Sequence, residues 1–276
     1  MKKTFEYIGI ISLFIFSFIF TEKTATVIKE QDDVMIKIKE VSDKYYIEPK
    51  DATIMNNTII PGIKGQEVDI DESYYKMKKI GLFNETLLVI NEIEPINTIK
   101  NNQDKFIISG NKNKKEVSLI FLVKENEKIE NVLQILENNK INANIFVSGN
   151  FLEQNNTLVN KISKSHIIGN LSYNLDYTKP DFIWMSTIIK KFNDNYCYTE
   201  TLNEEVLNIC SKNKSYTIIP NIIIRTKPLM NTSKNLSNGS IISFYITDEL
   251  LKELDIVIKE IKSKGYEIVK LPELLK

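Results

Sequence analysis

The feature that most constrains this chain is an alternation of two hydrophobic periods, beginning near residue 113 and running to the C-terminus. Glu116 to Val123 is a near-continuous apolar run, the pattern of a strand covered on both faces. Ile129, Val132, Leu133 and Leu136 follow at helical spacing. Ala143 to Val147 reads as the next strand, and Leu158, Val159 and Ile162 mark the next helix. Tyr216 to Ile219 and Ser240 to Ile246 are further strands. Leu250, Leu254, Val257 and Ile261 form the clearest stripe, stopped by Gly265, and Tyr266 to Val269 closes the series. Strands that alternate with helices predict parallel β/α units with helices covering the sheet. No short-period repeat is visible, which disfavours a solenoid.

The other end of the chain speaks to compartment. Lys2 and Lys3 precede an apolar run, Ile8 to Phe20, broken only by Ser12 and Ser17. A basic flank before such a run is an export signal. The run falls short of the ~20 residues of a comfortable membrane span. Thr21 to Thr26 offers a poor small-residue cleavage site, so residues 1–22 are expected to remain as a signal anchor. A cleaved signal peptide and a secreted product are the alternative. With the lysine pair held inside, membrane contact through residues 7–21 would leave the remainder extracytoplasmic.

Between these parts, Val34, Ile38, Val41 and Tyr45 recur at helical spacing behind Asp32 and Asp33. Tyr74, Met77 and Ile80 suggest a second short helix before Gly81, and Leu87 to Ile90 a strand. The polar stretch Asn97 to Asn113 places a boundary, giving a small mixed α+β accessory region at 23–112 and a main domain at 113–276.

Lys+Arg and Asp+Glu both number 36, so no basic field draws the chain to nucleic acid. Two cysteines, Cys197 and Cys210, make neither a disulfide framework nor a zinc motif. Cys210 shares an apolar helix face with Val206 and Leu207, where a free thiol acts as a small hydrophobe. A bond between the two requires an oxidising compartment and a proximity that sequence alone does not supply.

Several words stand in order along the main domain. Ile141-Asn142-Ala143-Asn144-Ile145-Phe146-Val147-Ser148-Gly149 is similar to K-A-T-F-F-V-x-G, and Leu158-Val159 with Ile162 to L-V-x-x-I. His166-Ile167-Ile168-Gly169-Asn170 is similar to H-E-I-G-N, and Asn238-Gly239-Ser240-Ile241-Ile242 to P-G-S-I-I. Lys264-Gly265-Tyr266-Glu267-Ile268-Val269, with Leu271, Glu273 and Leu274, matches a closing K-G-Y-x-x-V-x-L-x-E-L. Together these words resemble the polysaccharide deacetylase (NodB-homology) family. The resemblance implies an α/β fold, a distorted and incomplete β/α barrel.

It also implies a chemistry that this chain has lost. The family holds a divalent metal with one aspartate and two histidines, and uses a second aspartate as base and a third histidine as acid. Here Leu122 falls at the base and Val123 at the ligating aspartate. Leu171 and Leu175 fall at the two ligating histidines. Tyr196 takes the place of the arginine in R-P-P-Y-G, and Tyr245 that of the acid histidine. Leucine and valine have no lone pair for a metal, so the expectation is a pseudoenzyme without cofactor. His166, the chain's one histidine, aligns with a scaffold position and reads as structural.

Three functions follow as expectations. The first is binding of cell-wall glycan, with Trp184, Tyr196, Tyr198 and Tyr245 stacking on sugar rings. The second is an envelope protein partner, with 23–112 as contact surface. The third is a divergent N-acetylglucosamine deacetylase that hydrolyses amide C–N bonds with a site rebuilt from Glu125, Asp176 and Glu200, the one case requiring zinc. An open aromatic-floored cleft favours the first, a leucine-filled cleft the second, and convergent Asp176 and Glu200 the third.

Overall fold

The computed structural model describes residues 2–125, 128–173 and 176–276. The chain opens with α1 (Lys2–Glu30) and α2 (Asp33–Tyr45). There follow β1 (Thr53–Met55), β2 (Thr58–Ile60), β3 (Gly65–Asp69), α3 (Ile70–Lys78), β4 (Val89–Ile93) and β5 (Phe106–Ile107). Alternation then begins with β6 (Glu116–Val123), α4 (Ile129–Asn138), β7 (Asn144–Val147), α5 (Gly149–Gln154), α6 (Asn156–Ile162) and β8 (Ile167–Asn170). It continues through α7 (Lys179–Ile189), β9 (Tyr196–Tyr198), α8 (Glu204–Lys212), β10 (Tyr216–Ile218), β11 (Ile222–Ile224) and α9 (Pro228–Asn235). β12 (Ile241–Tyr245), α10 (Asp248–Ser263), β13 (Glu267–Ile268) and α11 (Leu271–Leu274) complete the chain.

The chain divides into two compact units, one of Met1–Pro49 with Lys64–Glu94, the other of Lys50–Ile63 with Pro95–Lys276. In the first, α1 continues as helix past Phe20 to Glu30. Thr21 and Thr24 donate their hydroxyls to the carbonyls of Ser17 and Phe20, so these polar side chains are satisfied within the helix. Ile11–Glu30 is therefore a helical stretch of 20 residues, long and apolar enough to cross a membrane, where the sequence suggested a run too short. Asp32 caps α2 by accepting from the Val34 amide at 2.9 Å. Val34, Met35 and Ile38 then bury against Val68, Tyr74 and Met77. β3 and β4 pair antiparallel from Gly65↔Ile93 to Asp69↔Val89, so the strand expected at Leu87 begins at Val89.

The second unit is built on one sheet in the order β1-β2-β5-β10-β9-β8-β7-β6-β12-β11, with β13 also pairing β6. Every neighbour pair is parallel except β1 with β2. The order runs from β1 to β11 without those ends meeting, which is the curled, incomplete barrel that the resemblance implies. The boundary expected at 112 is not where the compact units part. β2 and β5 pair within the sheet, and Phe106 and Ile107 are buried. A strand of two residues is too short to show a period, so it was hidden in a polar stretch.

Alternation along β6 sorts its side chains. Leu119, Phe121 and Val123 pack with Val147, Ile168 and the helices α4 and α10. Ile120 and Leu122 join Phe146, Tyr196, Tyr198 and Ile218 on the opposite face. Gly169 shows why that second face tolerates no extra atom: a Cβ there would lie 2.4 Å from the Phe146 ring. The closing segment is clamped by Asn144, whose amide donates to Ser118 Oγ and Leu119 O and whose Oδ1 accepts from the Leu271 amide.

Candidate functional site

Parallel strands bring their C-terminal ends together, and the ends of β6, β8, β9 and β12 converge on a cleft of about 220 Å³. Leu122 and Leu171 line its base, 2% and 4% exposed, and pack in one apolar cluster. They stand together although 49 positions separate them, because Leu122 ends β6 and Leu171 follows β8. Val123, expected beside them, turns to the helix-facing core instead, since adjacent strand residues point to opposite faces. Leu175 lies outside the described residues.

Above the leucines sits a hydrogen-bonded cluster centred on Glu200. Tyr245 donates to Glu200 Oε1 at 2.5 Å and Tyr198 donates to the same oxygen at 3.1 Å. Ser243 Oγ is 3.0 Å from the Tyr198 hydroxyl, whose one proton is already given to Glu200, so Ser243 donates. Arg225, just beyond β11, pairs with Glu200 Oε2. The Arg225 guanidinium and the Lys124 ammonium each lie 4.9 Å from the centre of the Tyr245 ring.

These contacts fix protonation states. Burial alone would raise the Glu200 carboxyl, but the bonds from Tyr245 and Tyr198 and the Arg225 charge outweigh it and hold the group below its ordinary value. Burial pushes the Tyr198 phenol well above its ordinary range. Tyr245 is raised by burial and by its bond to Glu200. Glu200 is thus a fixed anion and the phenols are fixed donors. A general base works best with a pKa near the working pH, which Glu200 lacks.

The remaining sequence-predicted residues are scattered. Tyr196 is buried and stacked on Tyr216 at 5.6 Å, inside the barrel. Tyr198 is 7% exposed and meets Phe146 edge-on. Trp184 sits on α7 against Tyr173 and does not line the cleft. Of the four aromatics expected to stack on sugar, then, two are buried, Tyr245 is faced by cations, and Trp184 is elsewhere. Glu125 and Asp176 are exposed and neither lines the cleft with Glu200. Among the described residues no three of His, Cys, Asp or Glu stand close enough to hold a metal. The family's metal does not fit the donors present, because Leu171 and Val123 offer it no electrons.

His166 lies at the N-terminal end of β8, the far end of the strand from the cleft. Its Nδ1 accepts from the Ala143 amide at 3.1 Å, so the ring is structural. Cys197 of β9 and Cys210 of α8 are joined in a disulfide, tying the strand that carries Tyr198 to the next helix. Sequence reasoning missed Arg225, though a signal was there: it is the only arginine among 36 basic residues. An arginine kept where lysine is otherwise used marks a site needing a rigid planar donor.

The comparisons agree with this architecture. Residues 109–214 match the polysaccharide deacetylase family model. The uncharacterized protein YlxY of Bacillus subtilis is 29% identical over 279 residues, covering 91% of this chain and 86% of that protein. A family 4 carbohydrate esterase pseudoenzyme of Bacillus anthracis shares the fold with a TM-score of 0.67 at 24% identity, over 89% of this chain and 96% of its own. The family 4 carbohydrate esterase PdaA of Bacillus subtilis aligns with a TM-score of 0.56 at 19% identity, over 64% of this chain and 86% of its own. The sheet-bearing unit thus matches the polysaccharide deacetylase model over residues 109–214 and has the fold of the family 4 carbohydrate esterases.

Proposed function

We propose that this chain is a catalytically silent polysaccharide deacetylase-like protein of the cell envelope, held at the membrane by α1, that binds wall glycan without hydrolysing it. The cleft carries the loss of hydrolysis, and the aromatic corner of Trp184 and Tyr173 outside it, with Trp184 38% exposed, carries the glycan binding. Leu122 and Leu171 occupy the base of the cleft, and Glu200, its one lining carboxylate, is committed to three donors. The disulfide supports an extracytoplasmic location, because such bonds persist in oxidising compartments. Co-sedimentation of the detergent-solubilised full chain with purified wall glycan tests the binding. Retention in the pellet that competes with soluble glycan fragments is expected, and no retention at micromolar protein would contradict it.

A protein partner is a second reading, favoured by the first unit. Ile80 and Leu82 flank Gly81 there and are 60% and 69% exposed, two large apolar side chains presented close together in sequence. Cross-linking at these positions in intact cells distinguishes the two readings.

A further inference from the structure

Beside α5, an aromatic pair stands apart from the cleft cluster. Trp184, the only tryptophan, is 38% exposed, and its ring meets Tyr173 at 5.5 Å and 72°, forming a corner. Tyr173 is held in place from two sides. Its ring lies so close to Gly149 that a Cβ there would be 2.4 Å from Cδ2, and its phenol donates to Glu153 at 2.5 Å. Asp181 precedes Trp184 by three positions on α7 and shares its helix face. The bond to Glu153, then burial, then the charges of Glu153 and Asp181 all raise the Tyr173 phenol, which places both carboxylates within electrostatic reach of the corner.

Two anions border this corner, and among the described residues neither is paired with a cation. An aromatic face suits the apolar C–H face of a pyranose, and a cation is attracted to aromatic faces as well as to carboxylates. A neutral acetamido sugar would satisfy the rings and leave the carboxylates without a counter-charge. An ammonium-bearing sugar satisfies both. We propose that Tyr173, Trp184, Glu153 and Asp181 form a subsite for a hexosamine with a free ammonium group. Such a ring is supplied by amide hydrolysis of an N-acetylhexosamine, so the chain would recognise the product of a deacetylase rather than its substrate. This rests on the reading that the chain binds glycan.

The single tryptophan is its own reporter. Titrating the full chain with a β-1,4-linked glucosamine hexasaccharide should give a saturable change in Trp184 emission. The N-acetylglucosamine hexasaccharide should bind at least ~10-fold more weakly, a difference of about 1.4 kcal/mol. Asp181→Asn and Glu153→Gln should each weaken the glucosamine titration by about 5-fold, with far-UV circular dichroism unchanged. Equal affinity for the two oligomers overturns the inference while leaving glycan binding intact. No response to either, with no wall retention, overturns both.

Discussion

The Tyr245 hydroxyl donates to Glu200 at 2.5 Å across 45 positions of sequence, joining the end of β12 to the loop after β9. This bond stands where the resemblance would put an acid histidine, and it uses up the proton that such an acid would deliver. Replacing Tyr245 with Phe should cost about 1.5–3 kcal/mol, the range for a hydrogen bond to a charged group, read as a lower urea midpoint at constant slope. An unchanged midpoint would show that the cluster does not hold the strands together.

The same anion sets a pH dependence. Because the folded state holds Glu200 below its ordinary value, its contribution is fully present above the unfolded carboxylate pKa and is lost as pH falls through the folded one. His166 acts over a higher window with the same sign. Burial, then the Lys270 charge, lowers its folded pKa below the ordinary 6.5. Stability should therefore decline as pH drops below about 6.5, when the unfolded chain takes up the proton more readily. His166→Gln should flatten the decline in denaturation midpoints between pH 7 and 5, and an unchanged slope would assign it to other groups.

Leu122→Asp tests the leucine base directly. A carboxylate packed among Leu171 and Phe146 at the buried end of β6 loses its hydration, so it should destabilise the domain by about 1–3 kcal/mol even with Lys124 lining the same cleft. It should restore no acetate release, since Leu171 still offers a metal nothing. A stable Leu122→Asp protein that releases acetate would show that a metal site persists.

Much of the fold was legible because long apolar segments carry their period openly. Glu116 to Val123 and the stripe of Leu250, Leu254, Val257 and Ile261 stand where the pattern put them. Phe106 and Ile107 were not legible, because two residues show no period and their place depends on strands far away in sequence. At the site, motif order found Leu122, Leu171 and Tyr245. It assigned Val123 to the same side as Leu122, which only the pleat corrects. Arg225 lies outside every matched motif, and its partner Glu200 is identified only by the folded chain.

The disulfide offers another check. Closing a loop of 13 positions should stabilise by about 3 kcal/mol in the chain-entropy account. Cys197→Ala/Cys210→Ala should therefore lower the denaturation midpoint markedly in protein recovered from outside the cytoplasm. Equal midpoints for variant and parent under non-reducing conditions would mean that the bond does not form in the native protein.

The most direct test is acetate release from acetylated amino-sugar polymer by the purified full chain, with zinc, cobalt, manganese or no added metal. No release above the buffer rate is expected under any of these conditions, with an active family 4 esterase as the positive control. Metal-dependent release that is abolished by Glu200→Ala or Asp176→Ala would contradict the account and reveal a rebuilt catalytic site.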